Sequence, residues 1–235
     1  MEEKKLYKDP DYLTQPLLLR CGKMTKQSKW ARPSKFIGSD NRYVILKDTR
    51  PDSIQVNDEV VQYFGVFLIM LSKNPELIDR AICLRENTFG LNVVRMFLHG
   101  TERFILIDDD ILCDDRSAPV FTPHERDQAW PMLMEKCWMK VLGPISEIEL
   151  LRPEQPIEEF LGIPTRTVPL QNGSPQQIVR QIAQRRNQKE FFFFTSKINP
   201  SQMIGLSGGK HFALLTNFNV DGTEYFLLRN PLGKF

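Results

Sequence analysis

The sequence predicts an α+β fold, helical in its first part and built on an antiparallel sheet in its second. Three observations carry this. Apolar residues recur at helical spacing at 60, 61, 64, 67, 68 and 71, and again at 130, 133, 134, 137, 138 and 141. After Phe191 the chain turns to short aromatic and β-branched runs. Between these regions five prolines fall from Leu151 to Pro175, a density that suits a segment joining two lobes.

Taken in order, residues 1–29 are polar with scattered apolar anchors, and Asp9-Pro10-Asp11 and Arg32-Pro33-Ser34 mark turns. This reads as an arm. The run from Val60 predicts a buried helix capped by Asp58 and stopped by Asn74-Pro75. Pro75 suits the first turn of a second helix through Leu77, Ile78 and Ile82. Leu91–Leu98 and Phe104–Ile107 read as an antiparallel pair turning at His99-Gly100-Thr101. Trp130 to Leu142 predicts a core helix that accepts Pro131 in its first turn and ends at Gly143-Pro144. Ser174-Pro175 opens a further helix with a Gln- and Arg-rich outer side. Phe191–Phe194, Phe212–Phe218 and Tyr225–Leu228 are strand-like, turning at 205–209 and at 219–222. The four phenylalanines of the first run fit a strand covered on both faces. A lobe boundary is expected near Arg152.

Composition excludes several classes. With 31 Lys plus Arg against 29 Asp plus Glu, the net charge of +2 gives no field for a nucleic-acid partner. A hydrophobic share of 41% with 26% charged residues argues against disorder. The longest apolar stretch, Val60 to Leu71, is broken by Gln62 and Gly65 and falls short of the roughly 18 residues of a membrane span. No signal sequence follows Met1, so a soluble, cytoplasmic protein is expected. Cys21, Cys83, Cys113 and Cys137 form no CxxC pair and read as free thiols in a reducing compartment.

Of the three histidines, His99 sits in a turn and His124 follows Thr122-Pro123 at a surface helix start. His211 differs: it follows Ser207-Gly208-Gly209-Lys210 and opens a strand, while Asn230 ends another. If those strands pair as a hairpin, His211 and Asn230 fall opposite each other, within reach of an Asn-to-imidazole hydrogen bond. That is the orienting half of a Cys/His/Asn site. The alternative is a plain pair of strand ends. Asp108, Asp109, Asp110, Asp114 and Asp115 read as a strand end and turn before a metal site. Arg180, Arg185, Arg186 and Lys189 read as a solvated helix face.

An ordered set of motifs resembles the calpain family of cysteine proteases over nearly the whole chain. Tyr7-Lys8-Asp9-Pro10-Asp11-Tyr12 is similar to that family's Asp-Pro-x-Phe arm, and Trp30-Ala31-Arg32-Pro33 to its W-x-R-P. Thr49-Arg50-Pro51-Asp52-Ser53-Ile54-Gln55 resembles the lead into its nucleophile, and Asn74-Pro75-Glu76-Leu77 the end of its nucleophile helix. Ile107-Asp108-Asp109 is similar to V-D-D, and Trp130-Pro131-Met132-Leu133-Met134-Glu135-Lys136-Cys137-Trp138 to W-P-x-L-L-E-K-A-Y. Lys210-His211-Phe212-Ala213 resembles G-H-A-Y with the catalytic histidine. Leu228-Arg229-Asn230-Pro231-Leu232-Gly233 resembles R-N-P-W-G with the catalytic asparagine.

The resemblance implies a papain-like calpain cysteine-protease core with an arm over 1–29, a first lobe over 30–152 and a second over 153–235. The second lobe is expected to be truncated, because Phe235 follows the asparagine motif so closely. The chain departs from the family at its nucleophile. Where the family has L-G-D-C-W at the start of the central helix, counting forward from Thr49-Arg50 places the cysteine at Val61. Counting back from Asn74-Pro75 places it at Gln62. Neither side chain is a nucleophile. Gln55 matches the glutamine that stabilises the oxyanion, but Val56 stands where the family has glycine, and Leu232 where it has a shielding tryptophan. Asp52 and Glu135 resemble carboxylates that help bind calcium; the alternative is a surface acid and a helix-face acid.

The implied role is therefore a non-catalytic one. The cleft would hold a protein or an extended peptide, and the chain would be a subunit of a larger assembly. Association with the cytoskeleton is a further expectation. The competing expectation is an active, calcium-dependent cysteine endopeptidase in which another thiol reaches His211.

Overall fold

The structure is a computed structural model. It describes residues 6–11, 28–37, 43–86, 88–123, 127–142, 152–168, 174–186, 191–196 and 209–233. In chain order the elements are β1 (Lys29–Ala31), α1 (Gln62–Ser72), α2 (Pro75–Ala81), β2 (Ile82–Glu86), β3 (Leu91–Leu98), β4 (Thr101–Asp108) and β5 (Ile111–Cys113). They continue with α3 (Trp130–Leu142), α4 (Gln155–Leu161), α5 (Pro175–Arg186), β6 (Phe193–Thr195), β7 (His211–Val220) and β8 (Thr223–Arg229). The strands form an antiparallel pair β1-β5 and two three-stranded antiparallel sheets, β2-β3-β4 and β6-β7-β8. The α+β class read from the sequence holds.

Every residue of α1 is buried. Its aromatic side chains organise the core: Phe64 stacks on Trp138 of α3 at 4.6 Å, and Phe67 stacks on Phe160 of α4 at 5.2 Å. Such offset aromatic pairs add to the stabilisation from burial alone. On its other side α1 packs on β7, whose Phe212, Ala213 and Leu214 are buried. Gly65 lets Val56 and Pro231 come close to the helix. A Cβ there would lie 2.8 Å from Val56 Cγ1 and 2.8 Å from Pro231 Cβ.

The helix over 130–142 and the antiparallel pairing of the 91–98 strand fall where the sequence pattern puts them. His99 (φ 51) and Gly100 (φ 75) form the turn between β3 and β4. Ser174 caps α5, its Oγ accepting the Gln177 N–H at 3.3 Å. Four expectations are corrected. The buried helix starts at Gln62 behind a 3-10 turn at Glu59–Val61, so Val61 and not Asp58 is its N-cap residue. The second helix ends at Ala81 because Ile82 begins a strand paired with β3. The proline-rich stretch contains α4, which starts with Pro156 in its first turn and ends at Gly162 (φ 66), a left-handed cap that favours glycine. Phe191 to Phe194 are half-buried, and β6 lies at the edge of its sheet among the described strands. His124, Cys21, Tyr12, Lys189, the 205–208 part of the glycine turn and Gly143-Pro144 lie outside the described residues.

A network of buried charge ties the arm to this core. Lys140 Nζ on α3 donates to both carboxylate oxygens of Asp9, at 2.8 and 2.7 Å, and to the Leu106 carbonyl at 2.9 Å. The Asp9 N–H donates to Asp108 Oδ2 at 2.8 Å, and Lys136 bonds the other oxygen of Asp108 and the Asp110 carbonyl. Arg32 bonds Asp109 and gives a second N–H to the Tyr7 carbonyl at 2.6 Å, while the Tyr43 hydroxyl donates to Asp109 at 2.6 Å. Burial pushes the Asp108 carboxyl upward, but the Lys136 charge and the hydrogen bonds together hold it below its usual value. Motif residues scattered over 130 positions thus meet in one place, and the place is structural.

Removing one partner of a buried ion pair leaves the other charge uncompensated, at a cost of about 3–5 kcal/mol. Lys136→Met is expected to lower stability by about that amount in urea unfolding. An unchanged midpoint would show that the network holds nothing together.

Candidate functional site

The first turn of α1 meets the start of β7 and the end of β8. Gln62, 2% exposed, is the first residue of α1. Its Nε2 donates to the His211 carbonyl at 3.2 Å and to Asn230 Oδ1 at 3.3 Å. Of the two positions left open by counting, Gln62 is the one that faces the histidine and asparagine. Val61, fully buried, belongs to the apolar core.

The His211 ring is positioned by neighbours that strand spacing does not reveal. Its Nδ1 lies 2.9 Å from the Thr195 hydroxyl, because β6 and β7 pair in a register that sets Thr195 opposite His211. Tyr63, directly after Gln62, meets the ring edge-on at 6.2 Å and meets Trp138 at 5.5 Å. Burial, and then the Lys210 charge, lower the pKa of the imidazole from its ordinary value. A thiolate partner would push it the other way.

β7 and β8 form the expected hairpin, but their ladder ends at Ala213 opposite Arg229. Asn230 follows that end, and its Oδ1 accepts both the Gln62 N–H and the Leu232 backbone N–H, the latter at 3.1 Å. Leu232, in the place of the expected tryptophan, is half-buried against the core. Gln55 is exposed and lies against Gly233, where a Cβ would come within 3.0 Å of its Cδ and Oε1. Val56 is buried, donates its N–H to the Pro231 carbonyl at 2.8 Å, and fills the space above Gly65.

The three described thiols have other surroundings. Cys137 is fully buried with its sulfur 3.5 Å from Met96 Sδ, and burial pushes its thiol far up. Burial likewise holds the Cys113 thiol up to about 11. Neither buried thiol has the lowered pKa that makes a nucleophile. Cys83 is exposed on β2 beside the Arg80 carbonyl.

The two carboxylates compared with calcium ligands lie in different surroundings. Asp52 is exposed, and its carbonyl accepts from Arg229 Nη2 at 2.8 Å. Glu135 is buried in α3, takes the Thr122 hydroxyl on Oε2, and has its pKa pushed up to about 8 by burial, with Asp58 adding to the rise. Among the described residues no group of three or more His, Cys, Asp or Glu gathers around a common point.

A buried helix whose first turn faces a histidine and an asparagine at strand ends defines a papain-like cysteine-protease core. The family model for calpain family cysteine proteases matches residues 7–235, and the chain belongs to that family. It is 23% identical over 223 residues to the calpain-type cysteine protease DEK1 of Arabidopsis thaliana, covering 89% of this chain and 10% of that protein. It is 22% identical over 253 residues to DEK1 of Zea mays, covering 98% and 11%. The calpain-type cysteine protease ADL1 of Oryza sativa subsp. japonica is 22% identical over 234 residues, covering 89% and 10%. The chain spans about a tenth of the length of these relatives. No helix among the described residues is long and apolar enough to cross a membrane.

Because the folded pKa of Glu135 lies above its usual 4.5, its protonated form contributes stability fully below that value. That contribution is lost as pH rises through about 8. Wild type should therefore weaken relative to Glu135→Gln between about pH 5 and pH 8. Parallel denaturant midpoints would refute this.

Proposed function

We propose that this chain is a calpain-type core that holds protein without cutting it. The observation that supports the reading is Gln62. A carboxamide stands at the helix start where the family's thiol is expected, and its hydrogens are engaged by Asn230 and the His211 carbonyl. It has no electron pair basic enough to attack a carbonyl carbon. His211 and Asn230 are then remnants whose role is to shape the cleft. An extended peptide lying beside His211 and Asn230 is the natural ligand. The domain acts as a binding or structural subunit of an assembly. Three free thiols, Cys83, Cys113 and Cys137, suit a cytoplasmic setting.

The test is covalent labelling with a thiol-reactive epoxide directed at papain-like clefts. Wild type is expected to stay unlabelled at the site. Gln62→Cys should gain labelling that His211→Ala then abolishes, while Val61→Cys, buried in the core, should not. Wild-type labelling that depends on His211 would overturn the reading and favour the active, calcium-dependent endopeptidase.

A further inference from the structure

An imidazole has two ring nitrogens, and which of them carries the proton is set by the hydrogen bond that the other makes. In a Cys/His/Asn arrangement a third group orients the ring, and the sequence offers Asn230 for that task. Its Oδ1, however, accepts from Gln62 Nε2 at 3.3 Å and from the Leu232 backbone N–H at 3.1 Å. The group set against the His211 ring is the Thr195 hydroxyl, 2.9 Å from Nδ1.

The sheet builds this pair. β6 and β7 run antiparallel with Phe193 opposite Ala213, Phe194 opposite Phe212 and Thr195 opposite His211. Directly opposed residues of such a ladder share a face, which brings a short hydroxyl within reach of the ring. The register is locked on both sides of the pair. One residue on, the Ser196 N–H donates to the Lys210 carbonyl at 2.9 Å, and the Lys210 N–H donates to Ser196 Oγ at 3.0 Å. On the other side the Leu214 N–H donates to the Phe192 carbonyl at 3.1 Å, and the Phe194 ring meets Phe226 of β8 at 5.7 Å. A slip of one residue would turn Thr195 to the opposite face. Tyr63 meets the same ring edge-on at 6.2 Å.

We infer that Thr195 is the positioning residue of His211: its hydroxyl fixes the ring's orientation and selects which nitrogen holds the proton. Asn230 instead receives the start of α1 through Gln62. Threonine suits the task, because its branched side chain is stiff about χ1 and its hydroxyl can donate or accept. With Nδ1 taken by Thr195, a hydrogen bond from a ligand in the cleft goes to Nε2. This holds whether or not the cleft cuts peptide, so it stands or falls separately from the proposed function.

Side-chain nitrogen NMR of the folded chain at about pH 8, above the ordinary imidazole pKa of 6.5, tests it. The His211 signals are assigned by their loss in His211→Ala. Wild type should show one dominant neutral form of the ring. Thr195→Val, which keeps the branched shape of the side chain, should shift the ratio of the two neutral forms about fivefold, as expected for one lost hydrogen bond. Thr195→Ser should restore the wild-type ratio, and Asn230→Ala should change it less than Thr195→Val does. Should the valine variant fail to fold, Thr195→Ala is read the same way. An unchanged ratio without the hydroxyl, no restoration by serine, or a larger change in Asn230→Ala would overturn the inference.

Discussion

Helix α1 has no solvent-facing side, and the rest of the molecule is arranged to satisfy that constraint. An eleven-residue helix buried all round must be covered by other elements in every direction. Aromatic side chains of α3 and α4 take one side, and the buried start of β7 takes the other. Its ends then become docking points. Gln62 at the first turn and Lys73 after the last both bond to the β7-β8 hairpin. The location of the site follows from this packing, because the first turn of α1 is held against the strand ends that carry His211 and Asn230.

Much of this is legible in the sequence, and what is not has physical reasons. The patterns of α1 and α3 are readable because burial imposes a period on apolar residues, and the β3-β4 pair because a turn interrupts two β-type runs. Helix α4 is hidden by its prolines, although Pro156 sits where a helix tolerates one and Gly162 ends it properly. Strand β2 merges with the preceding helix in the pattern because Ile82 continues an apolar spacing that only pairing with Val94 resolves. The one-residue ambiguity between Val61 and Gln62 arises where the chain makes a 3-10 turn before the helix begins. Register across strands carries no signal in a single sequence, so Thr195 as the neighbour of His211 is invisible there.

The family motifs divide into two kinds once placed in space. Asp9, Arg32, Asp108, Asp109 and Lys136 converge on a buried ionic network that fastens the arm to the core. His211 and Asn230 lie at the start of β7 and just past the end of β8, where Gln62 bonds the His211 carbonyl and the Asn230 side chain. Burial and the neighbouring Lys210 charge lower the His211 pKa.

We propose that Gln62 stands in the nucleophile's place and that the cleft does not turn over. Casein incubated with the purified chain under reducing conditions, with calcium present, should yield no fragments above a no-protein control. Fragments that disappear in His211→Ala would overturn the proposal.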